Sequence, residues 1–181
     1  MTTATEALTT GKWAIDPVHS TIDFSVRHMM VSKVHGTFES FSGAITVNSD
    51  GTPAVAAEIA VSSLNTRNEQ RDGHIKSANF FDVENYPVAT FVSTGLRADG
   101  DDYVLNGNLT LKGITKPVQF NLEFGGVSPG MGQGPIAGFE ATAVLNRKDF
   151  GISLDLPLET GGVVVGDNVT IILSIEAVKQ P

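Results

Sequence analysis

The chain predicts an all-β fold: an eight-stranded antiparallel up-and-down barrel. Three observations carry that prediction. Apolar and polar residues alternate with period two in about eight separate segments. Most of the links between them have hairpin length. The positions on the shared apolar face mix aromatic with very small side chains, so that face can close around space.

Residues 1–11, MTTATEALTTG, read as a flexible N-terminal arm, and residues 12–181 as one barrel domain. From Ser20 the sequence runs STIDFSVRH, with Ile22, Phe24, Val26 and His28 on one face and Thr21, Asp23, Ser25 and Arg27 on the other. Val55, Ala57, Ile59 and Val61 repeat the pattern, as do Tyr103, Leu105, Gly107, Leu109 and Leu111. It returns at Val118, Phe120, Leu122 and Phe124, and again at Val169, Ile171, Leu173 and Ile175. Weaker versions cover 36–48, 88–97 and 136–146. Asn48-Ser49-Asp50-Gly51 and Ala98-Asp99-Gly100-Asp101 are hairpin turns. The Gly-rich stretches 125–134 and 160–166 read as longer loops.

The inward positions include Ala57, Ala89, Gly107, Ala137, Ala141 and Ala143 beside Phe24, Phe91, Phe120 and Phe139. Small residues leave room, and opposing aromatics can fill it; the pattern leaves both outcomes open. One segment breaks the strand rhythm. Thr66-Arg67-Asn68-Glu69 has capping-box spacing and predicts a helix to Ala78. Gly73 inside it costs ~1 kcal/mol relative to Ala and predicts a break there.

Composition narrows the functional classes. The chain has 181 residues, 41% hydrophobic and 18% charged, as a globular domain does. A net charge of -8 excludes a phosphate-neutralising nucleic-acid surface and argues against docking on anionic lipid head groups. There is no cysteine, hence no disulfide or thiolate site. No signal peptide or ~18-residue apolar span is visible, so the expectation is a soluble, cytoplasmic protein.

Several constellations invite chemistry. Asp16, His19 and Ser20 offer the residue types of a catalytic triad, but three positions on one extended segment do not converge. Hydrogen bonding at the strand start is the expected role. His19, His28, His35 and His74 show no metal-ligand spacing, and no metal is expected. Ser128–Gly134 lacks the Lys-Ser/Thr ending of a phosphate loop, and Asp149-Phe150-Gly151 lacks every companion motif of a kinase. Arg71 and His74 share a helix face beside Asp72, with Phe80 and Phe81 following. A lid or anchor at a barrel end is favoured over acid–base catalysis, and no catalytic residue is assigned.

Taken together, WAIDPVHSTIDFSVRH, VHGTF at 34–38, RDGHIKSANFFDVENYPVATF at 71–91, LNGNLTLKGITKPV at 105–118 and GFEATAVLNRKDFGI at 138–152 resemble the YceI-like family over roughly 12–178. Asn79 stands where Asp is often found before the paired phenylalanines, and Ile75 where Leu is usual. The resemblance implies an extended lipocalin-like barrel with a short helix between strands three and four. It also implies a polyisoprenoid, isoprenoid quinone or similar lipid tail in the bore, and often a homodimer. Many bacterial relatives are exported; this sequence shows no leader.

The expected bore lining is Ile22, Phe24, Val26, His28, Ile59, Phe91, Leu105, Phe120, Phe139, Ala141 and Leu173. The expected mouth or lid is Arg71, His74, Phe80, Phe81 and Arg147, with His28, Arg71, His74 and Arg147 as head-group partners. No cofactor other than the lipid-like ligand is expected. A tail of ~20 carbons at about 0.8 kcal/mol per CH2 gains on the order of 16 kcal/mol in transfer, enough for retention once ordering costs are subtracted. The alternatives are an enzyme acting on a lipid-like substrate through Arg71, Asp72 and His74, or a filled barrel whose outer face binds a protein.

Overall fold

A computed structural model describes residues 3–153 and 164–181. Among them, eleven strands form one antiparallel sheet. In chain order they are β1 (Gly11–Ile15), β2 (Thr21–His28), β3 (Ser32–Phe38), β4 (Phe41–Val47), β5 (Pro53–Ala60), β6 (Leu64–Asn65), β7 (Val88–Asp99), β8 (Asp102–Leu111), β9 (Ile114–Ser128), β10 (Ile136–Asn146) and β11 (Val165–Lys179). Two helices accompany them, α1 (Ala4–Ala7) and α2 (Glu69–Lys76).

The eleven strands make eight staves. β1 and β2 lie end to end along β11, with Trp13 opposite Lys179 and Phe24 opposite Ile171. β3 and β4 follow each other along that stave, and β5 and β6 along the next. β7 to β11 complete the meander, and β1 pairs with both β4 and β11 to close the eight-stranded barrel. Helix α2 sits between the third and fourth staves, as expected. The three composite staves are neighbours, and they break at one level, 16–20, 39–40 and 61–63. Single backbone bonds bridge those breaks, among them Asp16 N–H to Glu176 C=O and Ala60 N–H to Ser40 C=O.

Closure through β1 covers the edges at the α1 end, while among the described residues β6 and the Ser32–Gly36 part of β3 pair on one side only. Every stave gives alternate side chains to the interior. Phe91, Val118, Phe120, Ala141, Ala143 and Phe150 form one buried cluster. Leu8, Trp13, Ile45, Val47, Ala137, Phe139 and Ala177 form a second toward the end where the chain starts. Residues 1–11 were read as a flexible arm. In the structure Thr3 caps α1 through a capping box, Ala4 and Leu8 are buried, and the Ala4 N–H donates to the Tyr103 hydroxyl at 2.9 Å. The Trp13 indole donates to the Thr9 carbonyl at 3.0 Å.

Other boundaries shift for identifiable reasons. Asn68, not Thr66, caps α2, its side chain accepting from the Arg71 N–H at 2.9 Å. Helix α2 does not break at Gly73 but runs to Lys76. Residues 125–128 belong to β9, which pairs with β10 through a bulge near Gly126 and Gly138, so the loop is shorter than the glycines suggested. Of the loop expected at 160–166, residues 160–163 lie outside the described residues, and Val165 already begins β11.

Two turns show how hairpin chemistry varies here. Lys112 and Gly113 have φ of 52° and 74° between β8 and β9, the type I′ pattern with glycine at its second position. Between β2 and β3 the equivalent positions are Met29 and Met30, with φ of 55° and 64°. Holding an L-residue in that region costs about 1 kcal/mol each. The Val31 N–H closes this turn on the His28 carbonyl at 3.2 Å.

Candidate functional site: an apolar bore

The barrel is not filled. A cavity of about 700 Å³ runs along it, bordered by Leu8, Ile45 and Val47 toward the α1 end and by residues of α2 at the other. Its middle is lined by Ile22, Phe24, Ile59, Phe91, Phe120, Ala141 and Leu173. Val26, His28, Leu105 and Phe139 border it too, as do Arg71, His74, Phe80, Phe81 and Arg147. Every residue singled out as lining or mouth therefore borders this space. Ile45, Val47, Phe150 and Ile152 also border it and were missed, because they lie in weakly alternating or irregular segments.

The small inward residues do two things. Gly36 lies opposite Phe24, and a Cβ there would stand 2.3 Å from the ring. Gly107 pairs with Ser93 and lies diagonally from Phe91, where a Cβ would also stand 2.3 Å from the ring. Glycine thus lets each ring lie flat along the neighbouring stave instead of projecting across the bore. Phe91 then meets Phe120 edge-to-face at 5.5 Å. Ala57, Ala89 and Ala141 line the space without crossing it.

The α2 end is tied down by Thr66, which is 3% exposed. Its hydroxyl donates to Asp72 Oδ1, its N–H donates to the same carboxylate at 3.0 Å, and its hydroxyl accepts from Arg71 Nε at 2.8 Å. Arg71 Nη2 also donates to the Thr66 carbonyl at 2.6 Å. Arg71 and Asp72 thus grip one residue from two sides, a staple rather than an acid–base pair. His74 stands edge-on to Phe80 at 5.0 Å, and Phe81 edge-on to Phe38 at 6.3 Å. The helix and its apolar sequel are anchored across the third stave by these rings.

Arg147 sits at the mouth but is 5% exposed. Its guanidinium donates to the carbonyls of Gly166 (2.9 Å), Ile152 (2.7 Å) and Val165 (3.2 Å). It fastens the 3-10 turn Arg147–Phe150 to the start of β11. Those bonds, with Asp167 Oδ1 at 3.4 Å, commit it locally, while the less buried Arg71, His74 and His28 border the cavity beside Arg27, Asn68 and Gln70.

On the outer surface, Asp16 and His19 do converge, contrary to the extended reading. The Val18 N–H donates to Asp16 Oδ1 at 2.9 Å, turning the segment so that His19 Nδ1 reaches Asp16 Oδ2 at 2.7 Å and Glu176 Oε1 at 3.8 Å. Ser20 is not part of that group. Its hydroxyl bonds both backbone atoms of Glu176, so it fixes the start of β2 as expected. The hydrogen bond from His19 holds the Asp16 carboxyl below its ordinary value, and the same bond raises the His19 imidazole. Such a pair satisfies itself and faces away from the bore.

A closed eight-stave barrel around an apolar bore, polar mainly at its helix end, is a lipocalin-like architecture. The YceI-like domain model matches residues 13–177. A curated Staphylococcus aureus protein (strain MSSA476), "UPF0312 protein SAS2572", is 38% identical over 167 residues, covering 91% of this chain and 95% of its own. The chain belongs to the YceI-like family.

Solved structures agree on the fold. Burkholderia cenocepacia BcnA superposes with a TM-score of 0.73 at 22% identity, covering 90% of this chain and 98% of its own. The Campylobacter jejuni YceI protein gives 0.72 at 26% identity, covering 86% and 90%. A polyisoprenoid binding domain from Saccharophagus degradans gives 0.68 at 17% identity, covering 93% and 98%.

Proposed function

We propose that the protein binds a long apolar lipid tail, a polyisoprenoid, an isoprenoid quinone or a similar chain, and serves as its carrier, store or sequestering agent. The observation that carries this reading is the bore: about 700 Å³ of space lined almost throughout by aliphatic and aromatic side chains. That volume falls in the range of ligand pockets, and apolar burial supplies the affinity without any specific polar contact. The polyisoprenoid-binding relative supports the choice of tail. A head group would rest at the α2 end, near Arg71, His74 and His28.

The test is mass spectrometry of the purified protein, native and after organic extraction, followed by titration with polyprenyl and quinone ligands. A stoichiometric long-chain lipid, or saturable uptake of an added one, is the expected result. An empty protein that refuses both classes of ligand sinks the reading.

A further inference from the structure

The β2–β3 hairpin ends in an exposed apolar tip beside the mouth of the bore. Met29, Met30 and Val31 are 41%, 54% and 82% exposed. The tip is local to the opening, since Arg27 and His28, the residues just before it, border the cavity. One step behind it, Arg27 and Lys33 stand directly opposite each other, both exposed. Like charges placed so weaken a hairpin, and among the described residues neither has an acidic partner. Three apolar side chains in front and two cations behind match the depth profile of a bilayer surface, acyl boundary first and phosphates next.

We infer that this hairpin tip docks on an anionic phospholipid bilayer and sets the mouth of the bore against it. The net charge of -8 is no obstacle. The acidic turns at Asp50, Asp99, Asp101 and Asp102 lie at the opposite end, roughly 30 Å away by the rise of a ten-residue strand such as β8. Charge that far off is screened, since the Debye length is about 8 Å at physiological salt. At the near end Asp167, which adjoins Gly166 beside Arg27, is itself paired with Arg147 and Lys148. The inference does not rest on what the bore carries.

The experiment is co-sedimentation of the full chain with vesicles of phosphatidylcholine doped with phosphatidylglycerol, against phosphatidylcholine alone, at low and physiological salt. The variant M29N/M30G places Asn-Gly where both φ angles are positive, so it suits the turn while removing the apolar tip. It is expected to raise the thermal midpoint, by relieving the positive-φ cost at both positions, and to bind doped vesicles on the order of tenfold more weakly. R27S/K33S is expected to erase the preference for phosphatidylglycerol and its salt dependence. Equal sedimentation of the wild type with both vesicle types, or wild-type binding by M29N/M30G, overturns the inference. The vesicles contain no polyprenyl or quinone, so failure here is separable from failure of the tail-binding reading.

Discussion

The ring of Phe91 occupies the space that a side chain would take at Gly107 on the neighbouring stave. A Cβ at Gly107 would lie 2.3 Å from that ring and 2.7 Å from the Val92 carbonyl oxygen. Overpacking of this kind costs about 1–3 kcal/mol. Gly107→Ala is expected to lower the urea midpoint accordingly and to turn Phe91 into the bore. Ligand occupancy, measured by extraction, should fall with it. Full stability with full occupancy would show that the ring is free to move elsewhere.

Ala141 lies in the wall midway along the barrel, 5% exposed and facing the cavity. Ala141→Trp is expected to block the bore while the closed hydrogen-bond ladder survives. Circular dichroism should report a folded barrel, and titration should show sharply reduced tail uptake. Undiminished uptake in that folded variant would argue against this wall as the binding surface.

Thr66→Val keeps the volume of the side chain but removes the hydroxyl shared by Arg71 and Asp72. Hydrogen bonds to charged groups are worth about 1.5–3 kcal/mol, so the variant should lose on the order of 2–3 kcal/mol in denaturant unfolding. His74→Ala removes a ring contact worth about 1 kcal/mol and should lose less. The reverse order would place His74, not Thr66, at the centre of this end.

The Asp16–His19 pair predicts a pH window. Asp16 is held below its ordinary 3.8, so its contribution exists above that value and fades as pH falls through the lowered one. His19 is raised above 6.5, so its contribution is full below that value and fades as pH rises through the raised one. The stability difference between wild type and His19→Gln should therefore peak between these two ordinary values. The pair is surface-exposed, so the difference should be small and shrink with salt. A flat profile across pH 3 to 9, scanned at about one-unit steps, would show that the contact is not formed in solution.

The staves were legible because one face of each is wet and the other apolar, and period two survives in the sequence. β2, β8 and β9 are of that kind. β1 and β3 are less visible: β1 is short, and β3 carries Gly36 between Val34 and Phe38, where an apolar side chain would advertise the inner face. The α1 cover was invisible for a different reason. Ala4 and Leu8 are ordinary residues whose burial comes from what they meet, Tyr103 and the Trp13 cluster, far along the chain. The bore lining followed from alternation. The roles of Thr66 and Arg147 did not, since hydrogen-bond partners are set by tertiary approach. Asp16 and His19 lie apart on an extended chain, and a local turn closed by the Val18 N–H brings them together.

The aligned breaks at 16–20, 39–40 and 61–63 make the wall unequal in stiffness around its circumference. Three neighbouring staves lose their ladder together, while β11 beside them runs through the level of the break at Glu176. Bending should gather along that line, like a crease, so that the α2 end swings on one side while the other stays a rigid frame. Amide exchange should then be faster along the crease than in the middle of β8 and β10. A tube creased on one side gains girth by tilting a panel, without any of its long seams coming apart.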